Sequence, residues 1–429
     1  MIELINLITL IRKRNTAINL HETRKDNNIL IMSKNNPVYN TKKLNLAILT
    51  DWYWPCKGGV ERAAQSLATS LQKSFSVTVI THRVSDNSSL YSTYTSNKRQ
   101  LLKDPDGNRI SLLEPSIAGR ILLAPLMIWN MPGVPRTATL YDSLYRFYRA
   151  AFSKRLRKLI SHTRIVHCFS TGYLARCASE VCKSSDLPLV HSPFIHFGRW
   201  GDSPAQLDAY CRAGVILCPT EFFREKLILS LKGKTLPQIK VIPPITPDPV
   251  QPLLEKKPVN GRFVLFLGRR EPHKGLGIFL ESFRDLSQKV KLVIAGPSGE
   301  KHFHLPENAV DLREVDENTK KWLLFNCDLL CVPSRDETFG IVYTEAMSYG
   351  KPVVAFDIPP VNEIVQNGIS GILVETDNRK ELSSALEKLL SNETTRRSMG
   401  RAARDRFNSY FSPAKIIKEH LKVYNRLIG

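Results

Sequence analysis

The stretch from Leu329 to Phe356 constrains this chain more than any other. Leu329–Val332 is a short apolar run and reads as a buried parallel strand. A polar loop follows, and from about Gly340 the spacing of Ile341, Val342, Glu345, Ala346 and Tyr349 predicts a helix. Gly350 and Pro352 stop that helix, and Pro352–Phe356 starts another apolar strand. Glycine at the helix start lets a ligand approach the backbone, and the free N–H groups around Gly340, Ile341 and Val342 attract an anion. Glu337 lies in the loop just ahead of those groups. Glu345 sits about a turn inside, and its side chain leans back toward the same mouth. An anion site between two carboxylates, which accept hydrogen bonds from hydroxyls, suits a sugar–phosphate–ribose ligand.

The length of 429 residues predicts two domains, and 42% apolar with 24% charged residues is the composition of a soluble globular protein. Leu46–Thr50 and Ser76–Thr81 read as strands on either side of a helix from about Gly59. The paired Gly58-Gly59 at the turn permits close approach of a phosphate, although the full dinucleotide fingerprint is absent. Ile165–Phe169, Leu187–Ser192 and Val215–Pro219 are further strands. His191 lies at the carboxyl end of the second of these, where ligands gather in open parallel sheets. His196 and Arg199 follow in a polar loop. Asp104-Pro105-Asp106-Gly107-Asn108 contains a formal D-x-D, but Asp-Gly and Pro among polar neighbours read as a turn, and no metal is assigned.

Val241–Lys257 is proline-dense and reads as an interdomain linker. Beyond it, Arg262–Gly268 and Lys291–Gly296 are strands, the latter ending in a Gly-Pro-Ser-Gly turn. Gly268-Arg269 and, four residues on, Lys274-Gly275 place two cations in the loop after the first strand. A departing diphosphate gains negative charge, and arginine and lysine can stabilise it. Arg270 stands beside Arg269 as an alternative; position favours Arg269.

Glu337, seven residues, then Glu345 matches the E-x7-E signature of retaining GT-B glycosyltransferases. PSRDETFGIVYTEAMSYGKPVVAFD and NEIVQNGISGILVE closely resemble family 4 of those enzymes, the nucleotide-sugar-dependent glycosyl and mannosyl transferases. The resemblance runs from about Leu44 to the end and is stronger in the second half. It implies an α/β fold of GT-B architecture, with two Rossmann-like α/β/α domains facing across a cleft. Expected boundaries are 44–246 for an acceptor domain, 247–412 for a nucleotide-sugar donor domain, and 413–429 for a helix crossing back to the first domain. It further implies transfer with retention of configuration and no cofactor or metal. Arg269 and Lys274 would hold the diphosphate, Glu345 the ribose and Glu337 the donor sugar. His191, whose VHS context resembles a histidine that approaches the transferred sugar, would face the reacting centre with Gly58-Gly59. The base, among UDP-, GDP- and ADP-sugars, and the acceptor stay open, with a lipid-linked acceptor among the candidates. A nucleotide-sugar epimerase or hydrolase is the rival enzyme reading.

A net charge of +21 points toward an anionic surface or ligand. No nucleic-acid motif accompanies it, so a basic nucleic-acid-binding protein is the weaker alternative. Arg146–Arg164 holds seven Lys/Arg and no acid, with Tyr148, Phe152, Leu156 and Leu159 on one side of a helical wheel. The neighbouring Ile121–Pro135 is apolar and broken by prolines, which suggests a loop dipping into an interface. A cytoplasmic enzyme, peripheral on an anionic membrane face, is the resulting expectation. Eight scattered cysteines agree with a reducing compartment. Residues 1–43 read as a disordered extension, with Met32 resembling an ordinary start and an amphipathic anchor as the rival reading.

Overall fold

Short runs of Val, Ile, Leu and Phe, too apolar to keep one face in water, recur along the chain and pair only in parallel. In the computed structural model the described residues are 43–429, apart from 57, 84–89, 96–102, 136, 253, 255–256, 287–289 and 298–302. The expected N-terminal extension and the Ser298-Gly299 end of the Gly-Pro-Ser-Gly turn lie outside the described residues.

The first sheet contains β1 (Leu44–Trp52), β2 (Phe75–Arg83), β3 (Arg109–Leu112), β4 (Ile165–Cys168), β5 (Leu189–His191), β6 (Val215–Cys218) and β7 (Gln238–Val241). Its order is β3-β2-β1-β4-β5-β6-β7, and every pairing is parallel. The second sheet contains β8 (Phe263–Leu267), β9 (Lys291–Ala295), β10 (Ala309–Arg313), β11 (Leu329–Cys331), β12 (Val353–Phe356) and β13 (Gly371–Val374), ordered β10-β9-β8-β11-β12-β13 and again wholly parallel. Helices cover both faces. Along β1, Leu46 and Ile48 join the core layer on one side, while Ala47 and Leu49 join the layer on the other. A separate core surrounds the second sheet. These are two Rossmann-like α/β/α domains.

Each sheet reverses its winding once, between β1 and β4 and between β8 and β11. Ligands of such sheets bind outside the carboxyl ends of the strands at that reversal. The Gly58-Gly59 turn follows β1, the Arg269–Lys274 loop follows β8, and the Glu337 loop follows β11, so all three motifs lie at reversals. The chain leaves the first sheet at Val241 and enters the second at Phe263. Pro413 occupies the first turn of the last helix, Pro413–Ile428, where its missing N–H costs nothing. That helix packs Ile416, Val423 and Tyr424 into the first domain's core, and the Tyr424 hydroxyl meets His167 Nδ1 at 2.6 Å. The D-x-D segment is a turn into β3 whose Asp104 carboxylate accepts from the Tyr53 hydroxyl at 2.7 Å and from the Asn108 amide at 2.8 Å.

Four histidines are buried in the first domain or in the last helix against it. Burial pushes His82 and His191 down to about 3 and His420 down to about 4, and it lowers His167 strongly. They stay neutral when folded but protonate near pH 6.5 when unfolded, so they carry no protonation penalty above pH 6.5, and stability is lost as pH falls from there toward 4. Each contributes a slope of up to about 1.4 kcal/mol per pH unit in that window. Burial acts oppositely on Asp51, raised to about 6, and offsets about 1 kcal/mol of the loss. Denaturant unfolding is therefore expected to show several kcal/mol less stability at pH 5 than at pH 7.5. A flat profile over that range would contradict the buried neutral imidazoles.

Candidate active site

The helix Ile341–Ser348 begins at the carboxyl end of β11, after the loop carrying Glu337. Gly340 makes the turn with φ of +90°, and a Cβ there would lie 2.5 Å from the Tyr343 ring, so glycine is required on both counts. The first N–H groups of the helix lack intrahelical partners and open on the cleft beside Gly340, Ile341 and Val342. Glu345 leans back along the helix, and its Oε1 accepts from Lys320 Nζ at 2.7 Å. The Glu337 carboxylate accepts from Lys274 Nζ at 2.8 Å. Both glutamate side chains are about nine-tenths withdrawn from water, at 8% and 10% exposure.

Lys274 reaches Glu337 because the short Pro272–Lys274 turn lies directly on Pro333. Gly275, at φ +74°, permits that contact, since a Cβ would overlap the Pro333 carbonyl. Arg269 lines the cleft with its side chain 56% exposed, leaning on Glu271 at 3.1 Å. Arg270 turns the other way and grips Asp311 with both terminal nitrogens, one at 2.7 Å, with its side chain only 11% exposed. The two adjacent arginines thus have different surroundings.

From the first domain come Gly58, Gly59, Arg62, Phe194 and His196. Arg62 lies in the first turn of the Gly59–Leu71 helix and forks onto Glu317 at 2.6 and 2.9 Å, with Glu345 3.7 Å away. Burial alone would raise the Glu317 carboxyl, but the Arg62 hydrogen bonds and Lys320 outweigh it and hold it at about 2. His196 Nδ1 and Arg199 each reach Asp336, beside Glu337, at 3.3 Å. Ile341 packs against the first domain's core as well as its own. The cleft these residues line has a volume of about 330 Å³.

Of the residues singled out in the sequence, Gly58, Gly59, Arg269, Lys274, Glu337, Gly340, Ile341, Val342 and Glu345 all line this cleft. His191 does not line it. It is 0% exposed and packs edge-on to Tyr210 at 4.8 Å, with both ring nitrogens lacking a partner among the described residues. Among the described residues, the histidines that reach the cleft are His196 and His273. Arg62, His273, Glu317 and Lys320 are among the cleft residues that sequence reasoning missed. Arg62 follows the glycine pair by three positions, one helical turn, which is a usable signal; nothing local marks Lys320.

With this geometry, the chain can be set beside known proteins. A sequence model for the family described as glycosyl transferases group 1 matches residues 254–406, the second domain. A phosphatidyl-myo-inositol mannosyltransferase of Mycolicibacterium smegmatis is 33% identical over 190 residues, 42% of this chain and 48% of that protein. N,N'-diacetylbacillosaminyl-diphospho-undecaprenol alpha-1,3-N-acetylgalactosaminyltransferase of Campylobacter jejuni is 32% identical over 181 residues, 41% of this chain and 46% of that protein. The chain spans about half the length of the curated relatives it matches. Among solved structures, HepE of Anabaena in complex with UDP-glucose superposes with a TM-score of 0.69 at 16% identity, covering 90% of this chain and 100% of that one. Trehalose-6-phosphate synthase OtsA gives 0.68 at 13% identity, covering 89% and 99%. The architecture is GT-B.

The surroundings of the two arginines separate their variants. Arg269→Ala is expected to weaken nucleoside diphosphate binding at least tenfold and to leave the melting temperature unchanged. Arg270→Ala should do the reverse, lowering the melting temperature by stranding Asp311. Equal effects of the two on binding would refute the assignment. His191 makes a second test, because a buried imidazole without hydrogen bonds costs about 1–3 kcal/mol and contributes little to the fold in return. His191→Phe is expected to hold or raise the melting temperature. If turnover is also unchanged, the histidine is packing alone.

Proposed function

We propose that the protein transfers a hexosyl unit from a nucleotide-sugar to an acceptor hydroxyl with retention of anomeric configuration, as a member of GT-B family 4. The observation that carries this reading is the meeting of two lysine-paired glutamates at the free N–H end of one helix, across a cleft from a glycine turn. The match of the second domain to group 1 glycosyl transferases supports it.

In this reading the diphosphate lies at the start of the Ile341–Ser348 helix, between Arg269 and Lys274. Those cations and the helix N–H groups take up the charge that develops as the bond from the anomeric carbon to the phosphate oxygen breaks. Glu345 accepts from the ribose hydroxyls with the lone pairs that Lys320 leaves free. Glu337, fixed by Lys274, accepts from the donor sugar. Each carboxylate is already ion-paired, which suits positioning better than nucleophilic attack. The acceptor oxygen then bonds to the anomeric carbon on the face the diphosphate leaves, and its proton passes to the departing phosphate oxygen. No metal is required, because the cations supply the counter-charge. The lipid acceptors named for the two relatives favour a lipid-linked acceptor here.

The test is a thermal-shift screen of UDP-, GDP- and ADP-sugars, followed by turnover with lipid-linked acceptors in the presence of a chelator. One donor series should stabilise the fold, and the product should keep the donor's anomeric configuration with chelator present. Free sugar released at the same rate with and without acceptor would replace transfer by hydrolysis. Lys274→Ala is expected to lose roughly 2–4 kcal/mol of transition-state stabilisation in kcat/KM, the range for deleting one preorganised electrostatic donor. A loss below threefold would remove Lys274 from the site.

A further inference from the structure

The strap between β3 and the Ala138–Leu159 helix is a surface that the cleft chemistry leaves unused. The sequence suggests an irregular loop for Ile121–Pro135; instead Ser116 caps a short helix, Ile117–Leu122, and Ala124–Asn130 follows as a 3₁₀ turn. Proline at 125 and 132 limits each turn without abolishing it. Leu123 and Leu126, both 0% exposed, anchor the strap, and Trp129 meets the Tyr141 ring at 5.6 Å.

Around those anchors the strap turns apolar side chains outward. Ile117 is 84% exposed, Ile121 72%, Met127 55% and Met131 54%, with Leu122 and Ile128 beside them. These are six of the sixteen large apolar side chains exposed among the described residues, gathered in 117–131, so they are not random scatter. No Asp or Glu occurs between Pro115 and Thr137.

The strap rests on a basic helix. A Cβ at Gly119 would lie 3.7 Å from that of Ala151, which marks the contact line. Lys154, Arg155 and Lys158 follow Ala151 by three, four and seven positions, on the same stripe. All three are exposed, and among the described residues no carboxylate pairs with them, unlike Arg149, which holds Glu180 at 2.9 Å. We propose that this face docks the protein on an anionic lipid bilayer. Ile117, Ile121, Leu122, Met127 and Ile128 enter the interface while Lys154, Arg155 and Lys158 meet lipid phosphates. A bilayer surface matches both halves at once, since acyl chains take the apolar side chains and headgroup phosphates the cations. The net charge of +21 draws the protein toward the same surface. No helix of the described residues is long and apolar enough to cross a membrane. The docking itself stands on this surface; its use, presenting a lipid-anchored acceptor to the cleft, rests on the function proposed above.

Co-sedimentation of the full chain with phosphatidylcholine vesicles, and with vesicles containing phosphatidylglycerol, tests the proposal at two salt concentrations. Binding is expected to the anionic vesicles only and to weaken with salt. Lys154→Glu, Arg155→Glu and Lys158→Glu together should lower the partition coefficient roughly 100-fold or more, each lost cation contributing about fivefold. Ile117→Glu with Ile121→Glu should release the protein at low salt too. Both variants should keep the wild-type melting temperature and nucleoside diphosphate affinity, which separates docking from folding and from the chemistry of the cleft. Wild-type protein that stays in solution with anionic vesicles at low salt, or variants that sediment as well as wild type, would overturn the proposal. So would a dimer in light scattering that only the Ile117/Ile121 variant loses, because a second copy would then cover the strap. Vesicle binding without turnover of any donor would leave the docking intact and remove the proposed activity.

Discussion

Two carboxylates, Glu337 and Glu345, are held almost out of water, and each tolerates this because an ammonium group lies within hydrogen-bond distance. A carboxylate buried alone would take up a proton instead of keeping its charge. The pairs join segments distant in sequence. Lys274 comes from the loop after β8, Glu337 from the loop after β11, and Lys320 from the Glu317–Asn326 helix that precedes β11. Lys274 and Glu337 meet because β8 and β11 are neighbours, with Leu329 beside Val264 and Leu330 beside Leu265, while Lys320 and Glu345 sit on the helices directly before and after β11. The parallel sheet is therefore the precondition of the site, and the left-handed turns at Gly275 and Gly340 bring its loops into contact.

Contacts between the two halves are of another kind. The cores are separate, and much of what crosses between them is polar. Arg62 forks onto Glu317, Glu363 caps the backbone N–H groups of Glu221 and Phe222 at 2.8 and 2.6 Å, and the Thr246 and Thr344 hydroxyls meet at 2.6 Å. Polar seams of this sort exchange readily with water and leave domains free to move. Arg62 also reaches toward Glu345, the carboxylate assigned to the ribose. Under the ribose role proposed for Glu345, the cation from the first domain and the nucleotide would share one partner, which would couple cleft geometry to ligand binding. The apolar exceptions are Ile341, at the start of the Ile341–Ser348 helix, and the last helix, whose Tyr424 is wholly buried in the first domain.

Much of this architecture could be read from the chain. The interior strands β6, β8 and β12 fall on continuous apolar runs, because a strand covered on both faces has little room for a polar residue; β4 breaks the rule only at His167, whose two ring nitrogens meet Tyr424 and Ser192. The helix from Gly59, the helix from Ile341 and the stop at Gly350 fall where periodicity and breakers place them. The edge strands β7 and β10 were not legible, because their half-exposed residues need no apolar run. Gly58, Gly59, Arg269, Lys274, Glu337, Gly340 and Glu345 were visible because glycine turns and paired carboxylates leave local spacing behind.

Tertiary structure decided the rest. Sequence favoured Arg269 over Arg270 by position alone; Asp311, on the edge strand β10, drew Arg270 away and left its neighbour at the cleft. Sequence placed His191 at a strand's carboxyl end, but packing against Tyr210 covers it, and His196 from the next loop reaches the cleft. Arg62 and Lys320 became part of the site only when strand order set them beside Glu317 and Glu345. Periodicity is a local property and survives in one dimension. Which buried charge neutralises which is fixed by pairings dozens to hundreds of residues apart, and those exist only once the sheets have formed.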